Sequence, residues 1–381
     1  MNFGAVTGVD SITQSDLEWL DTGAGILGTG GGGDPRTGRL RLRSLFENSD
    51  YPDRVEIVHP DDLDDDAAVV SVGGIGAPTI SREKFPKGDE DYRSLRAVER
   101  AARQSVDAIV PGEIGGANSM APLAVAAMAG LPVVDADGMG RAFPELQMDT
   151  FFIYGMSANY AAFTDEHGNQ LVYRDVDTPE RLEQFARAIT VDMGGRAGFA
   201  FPLMGGRFVR EYAITDTVSL AHELGRRVHE ARDTGRDPVR AVTETLGGTE
   251  LFTGKIVDVF RRTRDGFSRG DVEIEGLDVD RTLVVEFQNE FLVARDQEGG
   301  VLASVPDLVC TLDTETAAPI TTGSLRYGQR VRVVGVPAPD LLRTDRALSV
   351  VGPEAFGYDL SYDPLDSTAD RQLDRRTDSG S

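Results

Sequence analysis

The chain's 381 residues include 40% apolar side chains, enough for two packed cores, and 63 Asp and Glu against 39 Lys and Arg, a formal net charge of −24. A surface that acidic repels nucleic acid and anionic lipid and excludes both as partners. Arg replaces Lys almost throughout, Lys84, Lys87 and Lys255 being the exceptions, which with the Asp/Glu excess fits a halophilic protein whose charges are screened by a salt-rich cytosol.

The opening stretch "MNFGAVTGVDSITQ" has neither the basic leader nor the apolar core of a signal peptide, so a cytoplasmic protein is expected. Ser15-Asp16-Leu17-Glu18 fits a capping box, and Leu17, Leu20, Ala24 and Leu27 follow at helical spacing. A helix therefore runs up to the glycine-rich "LGTGGGGDP", after which Asp34 reads as an N-cap and Pro35 as the first residue of the next helix. From Arg54 short apolar runs bounded by Gly and Pro, "VEIV", "AAVVSVGGIGAP", "DAIVPGEIGGANS" and "LPVVDADGMG", predict buried parallel strands. Helical patterns lie between them, "YRSLRAVERAARQ" and "MAPLAVAAMAG". The longest apolar run, Met120 to Val134, is broken by Pro122, Gly130 and Pro132 and is too short to cross a bilayer. Two more helices follow, one capped by Thr178 with Pro179 at its first position, the other in "TDTVSLAHELGRRVHEARDTG". Strands alternating with helices predict a three-layer α/β domain with a largely parallel sheet over residues 1–248.

At Gly247-Gly248 helical periodicity gives way to β segments, "FTGKIVDVFRRT", "GFSRGDVEIEG", "RTLVVEFQNEFLVARD", "GGVLASVPDLVCTLD" and "QRVRVVGVPAP". They predict a smaller all-β barrel or sandwich over 249–362, followed by a polar, disordered tail at 363–381. The single cysteine, Cys310, excludes an intrachain disulfide and a Cys-cluster zinc site, and reads as a small apolar residue.

Gly28-x-Gly30-x-x-Gly33 matches a dinucleotide fingerprint in form only. A helix precedes it where a strand is required, and Asp34 stands where a pyrophosphate would lie. No Lys and Ser or Thr follow the last glycine, as a P-loop needs, so neither NAD, FAD nor ATP is expected. What remains is a nest of N–H groups from Gly30, Gly31, Gly32 and Gly33, beside Asp34, able to hold a carboxylate or oxyanion, or else a tight crossing that tolerates no Cβ.

Two loops beyond strand ends carry the other candidates. In "PGEIGGANSMAP", Glu113 beside apolar Ile114 suits a general base of raised pKa, while Asn118 and Ser119 either orient a ligand or cap the next helix. In "VVDADGMGRAFPELQM", Asp135 and Asp137 fall on one face of a strand, where they could bind a divalent cation or divide acid and base roles, with Arg141 and Glu145 within reach. The alternative is that Asp137 opens a turn and Arg141 pairs with a carboxylate. The four histidines have no metal spacing. Polar alternation at Glu286, Gln288 and Glu290 reads as an exposed sheet face.

"LGTGGGGDP", "PGEIGGANS", "VDADGMGRAFPELQM", "VEFQNEFLVA", "PDLVCTLD", "RYGQRVRVVGVPAP" and "GPEAFGYD", spread in order from Leu27 to Asp359, resemble the S-methyl thiohydantoin desulfurase family, whose genes often neighbour hydantoinase and oxoprolinase genes. The resemblance implies an N-terminal α/β and a C-terminal β domain, and hydrolytic removal of sulfur from a thiohydantoin ring to give a hydantoin. The chemistry then assigns Glu113, Asp135 or Asp137 to activate water, and the N–H groups of Gly30 to Gly33 to receive anionic charge. Asn118 and Ser119 would orient the ring, and Arg141 would take a substrate carboxylate. Two rival readings stay open: a non-catalytic binding subunit of a hydantoinase- or oxoprolinase-type complex, and a hydrolase of another cyclic amide using a divalent metal held by carboxylates. The expected partners are a small-molecule substrate, a second copy of the chain and a hydantoinase- or oxoprolinase-type protein.

Overall fold

A computed structural model describes residues 6–76, 87–264 and 267–365. It divides into two units: Val6–Gly28 with Gly32–Gly225, and Thr29–Gly31 with residues 226–365. Of the tail expected at 363–381, residues from 366 onward lie outside the described residues, while its start is ordered, with Leu365 buried and its N–H donating to Asp307 at 2.8 Å.

The first unit contains strands β1 (Ser11–Thr13), β2 (Arg54–Val58), β3 (Ala68–Gly76), β4 (Ala108–Pro111), β5 (Val133–Val134), β6 (Ala136–Asp137), β7 (Ala161–Thr164), β8 (Gln170–Tyr173), β9 (Arg196–Gly205) and β10 (Ile214–Thr215). Its helices are α1 (Leu17–Leu27), α2 (Pro35–Phe46), α3 (Glu90–Ala102), α4 (Ala121–Ala129), α5 (Thr150–Ile153), α6 (Pro179–Asp192), α7 (Gly206–Tyr212) and α8 (Thr217–Asp233), the last continuing into the second unit. Eight strands form one sheet in the order β1-β2-β5-β4-β3-β9-β7-β8, while β6 pairs only with β10. The centre, β2-β5-β4-β3, is parallel; β3, β4 and β5 are short apolar runs buried on both faces, while β2 buries Val55 and Ile57 and exposes Arg54 and Glu56. The strands added at either side, β1 and β9-β7-β8, run antiparallel.

Local chemistry explains the helix starts. Asp34 accepts the N–H of Arg36 at 3.0 Å with Pro35 at the first position of α2, and Thr178 accepts the N–H of Arg181 at 3.2 Å at the head of α6. The capping box before α1 sits two residues earlier than expected: Asp16 accepts the N–H and the hydroxyl of Thr13, at 2.8 and 2.6 Å, and Ser15 and Glu18 play no such part. Helix α4 is apolar all round and buried, as a helix against the middle of a sheet must be. Helices α1 and α8 cross so closely that a Cβ on Gly23 would lie 1.8 Å from the carbonyl oxygen of Ala221, which accounts for a glycine inside a helix.

The second unit adds α9 (Pro238–Leu246), strands β11 (Thr249–Arg264), β12 (Phe267–Gly276), β13 (Thr282–Gln288), β14 (Glu290–Asp296), β15 (Val301–Ser304), β16 (Leu308–Asp313) and β17 (Arg330–Val336), and α10 (Asp345–Val351). The strands make one antiparallel sheet, β15-β14-β13-β12-β11-β17-β16, curled as a half-barrel around Ile256, Val272, Val285, Phe287, Phe291 and Val333. Cys310 is buried within β16. The exposed-face reading of "VEFQNEFLVA" is overturned. Gln288 and Glu290 are 5% and 3% exposed, because Asn289, in the left-handed region at φ +59°, reverses the chain between β13 and β14 and turns their ends inward. Glu286, half-buried, is held by Arg295 at 2.8 Å.

Candidate active site

Glu113 lies just beyond the C-terminal end of β4, where open α/β sheets place their ligand loops. Its Oε1 accepts a 2.6 Å hydrogen bond from Asn118 Nδ2. Asn118 is fixed in turn: its Oδ1 accepts the N–H of Gly74 at 2.9 Å, and Nδ2 donates to the Gly74 carbonyl at 3.1 Å. Both amide hydrogens are thereby engaged, so Asn118 positions Glu113 and β3 and is no helix cap; α4 begins after Met120 without a side-chain cap. The other oxygen, Glu113 Oε2, is buried without a hydrogen-bond partner. Burial pushes the carboxyl of Glu113 up to about 8, against the pull of Asn118 and of the nearby Phe143 backbone N–H, and with the charge of Asp137 adding to the rise.

Asp137 follows on the neighbouring turn and is fully buried. Its Oδ2 accepts three backbone N–H groups, from Ile114 at 2.8 Å, Met139 at 3.1 Å and Gly140 at 2.8 Å, which tie the Glu113 loop to this turn. Oδ1 accepts none. Burial raises Asp137 to about 7 even against those three donors. A third buried carboxyl, Asp149, escaped the sequence reading. It accepts the N–H of Phe152 at 2.8 Å as the cap of α5, and burial, with the charge of Asp137, raises it to about 8. The Asp before "TFFI" is the signal that could have found it, and that signal says only helix cap. Three acids of raised pKa that influence one another titrate as a group.

Asp135 is separated from this group. It lies between the two-residue strands β5 and β6, and its carboxylate accepts the N–H groups of Val218 and Ser219 at 2.9 and 3.0 Å and the Ser219 hydroxyl at 2.5 Å, capping α8. The expectation of Asp135 and Asp137 as a pair on one strand face fails because the chain leaves the main sheet between them, and β6 pairs with β10. Ser119 donates to the Gly116 carbonyl at 2.7 Å. Arg141 is fully buried, with Nε donating to the Ala142 carbonyl at 3.1 Å and the guanidinium 5.0 Å from the Phe143 ring centre. Glu145 is half-buried and accepts from Gln147. Asp34 is exposed and caps α2.

The glycine run is divided between the units. In the second unit, Phe291 N–H donates to the Thr29 carbonyl at 2.8 Å and Thr322 N–H to the Gly30 carbonyl at 3.0 Å. A Cβ on Gly31 would lie 1.9 Å from Glu290 Oε1, so the carboxylate of Glu290, expected on an exposed face and found buried, requires glycine there. In the first unit, Gly32 and Gly33 take positive φ, and the N–H of Asn118 donates to the Gly32 carbonyl at 3.2 Å. A Cβ on Gly32 would lie 2.3 Å from the carbonyl oxygen of Gly115. The run thus closes on the loop that carries Glu113, and its recorded hydrogen bonds use its carbonyl groups.

Among the described residues no group of three or more His, Cys, Asp or Glu side chains is arranged to hold a metal ion, and no helix is long and apolar enough to cross a membrane. Glu113 and Asp137 face different donors, an amide and three peptide N–H groups, which suits proton chemistry better than shared ligation of a cation.

No curated protein matches the chain. A crystal structure of a protein from Chromobacterium violaceum is similar, with a TM-score of 0.81 at 26% identity over 94% of this chain and 100% of that one. The family model of the S-Me-THD-like N-terminal domain matches residues 15–175, and that of the S-Me-THD-like C-terminal domain matches residues 177–365. Matched by both in sequence order, the chain belongs to the S-methyl thiohydantoin desulfurase-like family.

Proposed function

We propose that the protein hydrolyses the carbon–sulfur bond of a thiohydantoin or S-methyl thiohydantoin ring. Water adds to the ring carbon that bears sulfur, the C–S bond breaks, and the oxygen of water becomes the new carbonyl of a hydantoin. Hydrogen sulfide or methanethiol leaves with the displaced proton, and nothing is oxidised or reduced. A thiol leaving group, ionising near ~8.5, needs little acid assistance, so the demands are a base and a stabiliser of the anionic tetrahedral centre.

One observation carries the assignment of the base: Glu113 is held by one oxygen through Asn118 while its other oxygen is buried and unpartnered beside Asp137. Glu113 Oε2 takes the proton of the attacking water. Asp137, clamped by three peptide N–H groups, holds the loop in register and raises the basicity of Glu113 by its charge. The N–H groups of Gly32 and Gly33, in the loop that closes on Gly115 and Asn118, supply the stabilising donors.

Sulfide or methanethiol release from a panel of thiohydantoins, by wild type, Glu113→Gln and Asp137→Asn, tests this reading. Assays belong in molar salt, which screens the −24 net charge. Full activity in both variants overturns the assignment. Thermal stabilisation by hydantoin without turnover of any thiohydantoin overturns the reaction itself and leaves a binding protein.

A further inference from the structure

Strands β3 and β9 pair so that Gly74 faces Gly198 and Gly76 faces Arg196. Cross-strand partners and residues two apart share a face, so Gly74, Gly76, Arg196 and Gly198 all lie on one side of the sheet, and Arg196 alone carries a side chain there. A Cβ placed on Gly74 would lie 3.6 Å from Asn118 Oδ1 and 3.9 Å from an Arg196 terminal nitrogen. The same glycine is the one whose N–H and carbonyl hold Asn118, and Asn118 holds Glu113. Arg196 therefore stands at the carboxyl end of β3, beside the glycine that holds the Asn118 amide.

Arg196 is half-buried, yet no hydrogen bond or ion pair to it is found among the described residues. Three acids act on it from nearby, and two of them are committed elsewhere, while the third, Glu166, has one oxygen 3.4 Å from His167 Nε2. Asp91 takes both terminal nitrogens of Arg41 at 2.6 Å each, and Glu90 accepts the N–H groups of Lys87 and Gly88 at 2.7 and 2.9 Å. Withdrawing a guanidinium from water is costly unless it gains a partner, and among the described residues Arg196 has no hydrogen bond.

We propose that Arg196 is the specificity residue of the site, binding a carboxylate carried on the ring's substituent, so that the preferred substrates are thiohydantoins derived from acidic amino acids. The planar guanidinium matches a carboxylate through two parallel hydrogen bonds. The separation from Glu113 by one amide places it at a substituent and away from the carbon under attack. Glycines at 74 and 76 put no side chain of β3 on this face. The proposal rests on the thiohydantoin reading above.

Calorimetric titration of hydantoin-5-acetate and 5-methylhydantoin into wild type, Arg196→Gln and Arg196→Lys tests it, with sulfur release from the matching thiohydantoins measured in parallel. Wild type should prefer the acetate, and Arg196→Gln should weaken the acetate by roughly 10- to 100-fold while leaving the methyl compound unchanged. Arg196→Lys should restore part of the preference. Equal weakening of both ligands, or of neither, overturns the role of Arg196 and leaves the ring chemistry standing. Acetate-selective binding with no sulfur release keeps Arg196 as the carboxylate site and overturns the desulfuration. Failure of wild type to bind either ring or turn over either thiohydantoin overturns both. The comparison of the two ligands on wild type holds even if a variant does not fold.

Discussion

Asp307 and Glu113 are both buried carboxyls raised above the ordinary range by burial, yet the molecule treats them in opposite ways. In the β unit, Asp307 accepts the N–H groups of Ala338 and Leu365 at 2.7 and 2.8 Å and the Tyr362 hydroxyl at 2.8 Å, with an Arg343 nitrogen at 3.5 Å. It fastens three chain segments together. In the α/β unit, Glu113 accepts one side-chain bond and keeps a buried oxygen without a partner. Leaving a buried acceptor unpaired costs about 1–3 kcal/mol, and the acid whose lone pairs are left open is the one proposed above as the base. Arg41, clamped by Asp91, and Arg196, clamped by nothing described, repeat the contrast with the opposite charge.

The largest effect should therefore fall on activity at one acid and be absent at the other. Glu113→Gln is expected to lower kcat by roughly 10²- to 10⁴-fold, the usual contribution of a positioned base, while Asp307→Asn leaves kcat per folded molecule unchanged. The wild-type rate should rise as Glu113 ionises, with a limb near pH 8 that the Gln variant lacks. A pH–rate profile unaltered by Glu113→Gln would break the comparison.

Stability should divide the two acids in the other direction. Asp307→Asn puts an amide hydrogen where an N–H or hydroxyl hydrogen already points and should cost about 1–3 kcal/mol, read as a lowered Tm. Glu113 has a folded pKa of about 8, above its ordinary 4.5, so the folded state holds the proton more tightly. The stability this gives is fully present below about pH 4.5 and is lost as pH rises toward 8, where wild type must bury a charge. Glu113→Gln should accordingly match wild type near pH 4.5 and exceed it above pH 8 in urea titrations. A variant less stable than wild type at pH 8 would place Glu113 with Asp307 as a structural acid.

The sequence made these roles legible to different degrees. The loop beyond a buried strand marked Glu113, because the apolar run, the glycines and the acid are all local in "IVPGEIGGANS". The helix after the glycine run was equally plain, since Asp34 and Pro35 act on their own neighbours. What failed was longer in range. Asp135 and Asp137 look alike in "VVDADG", and only Val218 and Ser219, some 80 residues on, draw Asp135 away. Glu290 looked exposed because alternation says nothing of a left-handed residue at 289 that reverses the strand. Arg196 gave no signal at all, because its surroundings depend on where Glu90 and Asp91, some 100 residues earlier, direct their bonds.

Between these extremes lies the glycine run, whose halves sharpen the comparison at a smaller scale. Gly31→Ala would set a Cβ 1.9 Å from Glu290 Oε1, and the buried Glu290 must yield, at about 1–3 kcal/mol. Gly33→Ala meets only Ala117 Cβ at 3.3 Å, and its cost, about 1–2 kcal/mol, comes from holding a side chain at φ +84°. The first should lower stability alone, while the second, at one of the proposed donors, should also reduce kcat. Equal kinetic loss in both would remove the distinction between Gly31 and Gly33.

The smallest effect tests Ser119, which stands next to Asn118 and yet faces away from its task. The hydroxyl of Ser119 donates to the Gly116 carbonyl one turn back, at 2.7 Å, and is buried within that turn. Its single hydrogen is thereby engaged, so contact with a ring would require breaking a bond that the loop needs. Ser119→Ala should cost about 1 kcal/mol in stability and leave KM within about twofold of wild type. A tenfold rise in KM with unchanged stability would show instead that the hydroxyl turns toward substrate, and would widen the site from one acid and its amide to the whole of the loop that follows β4.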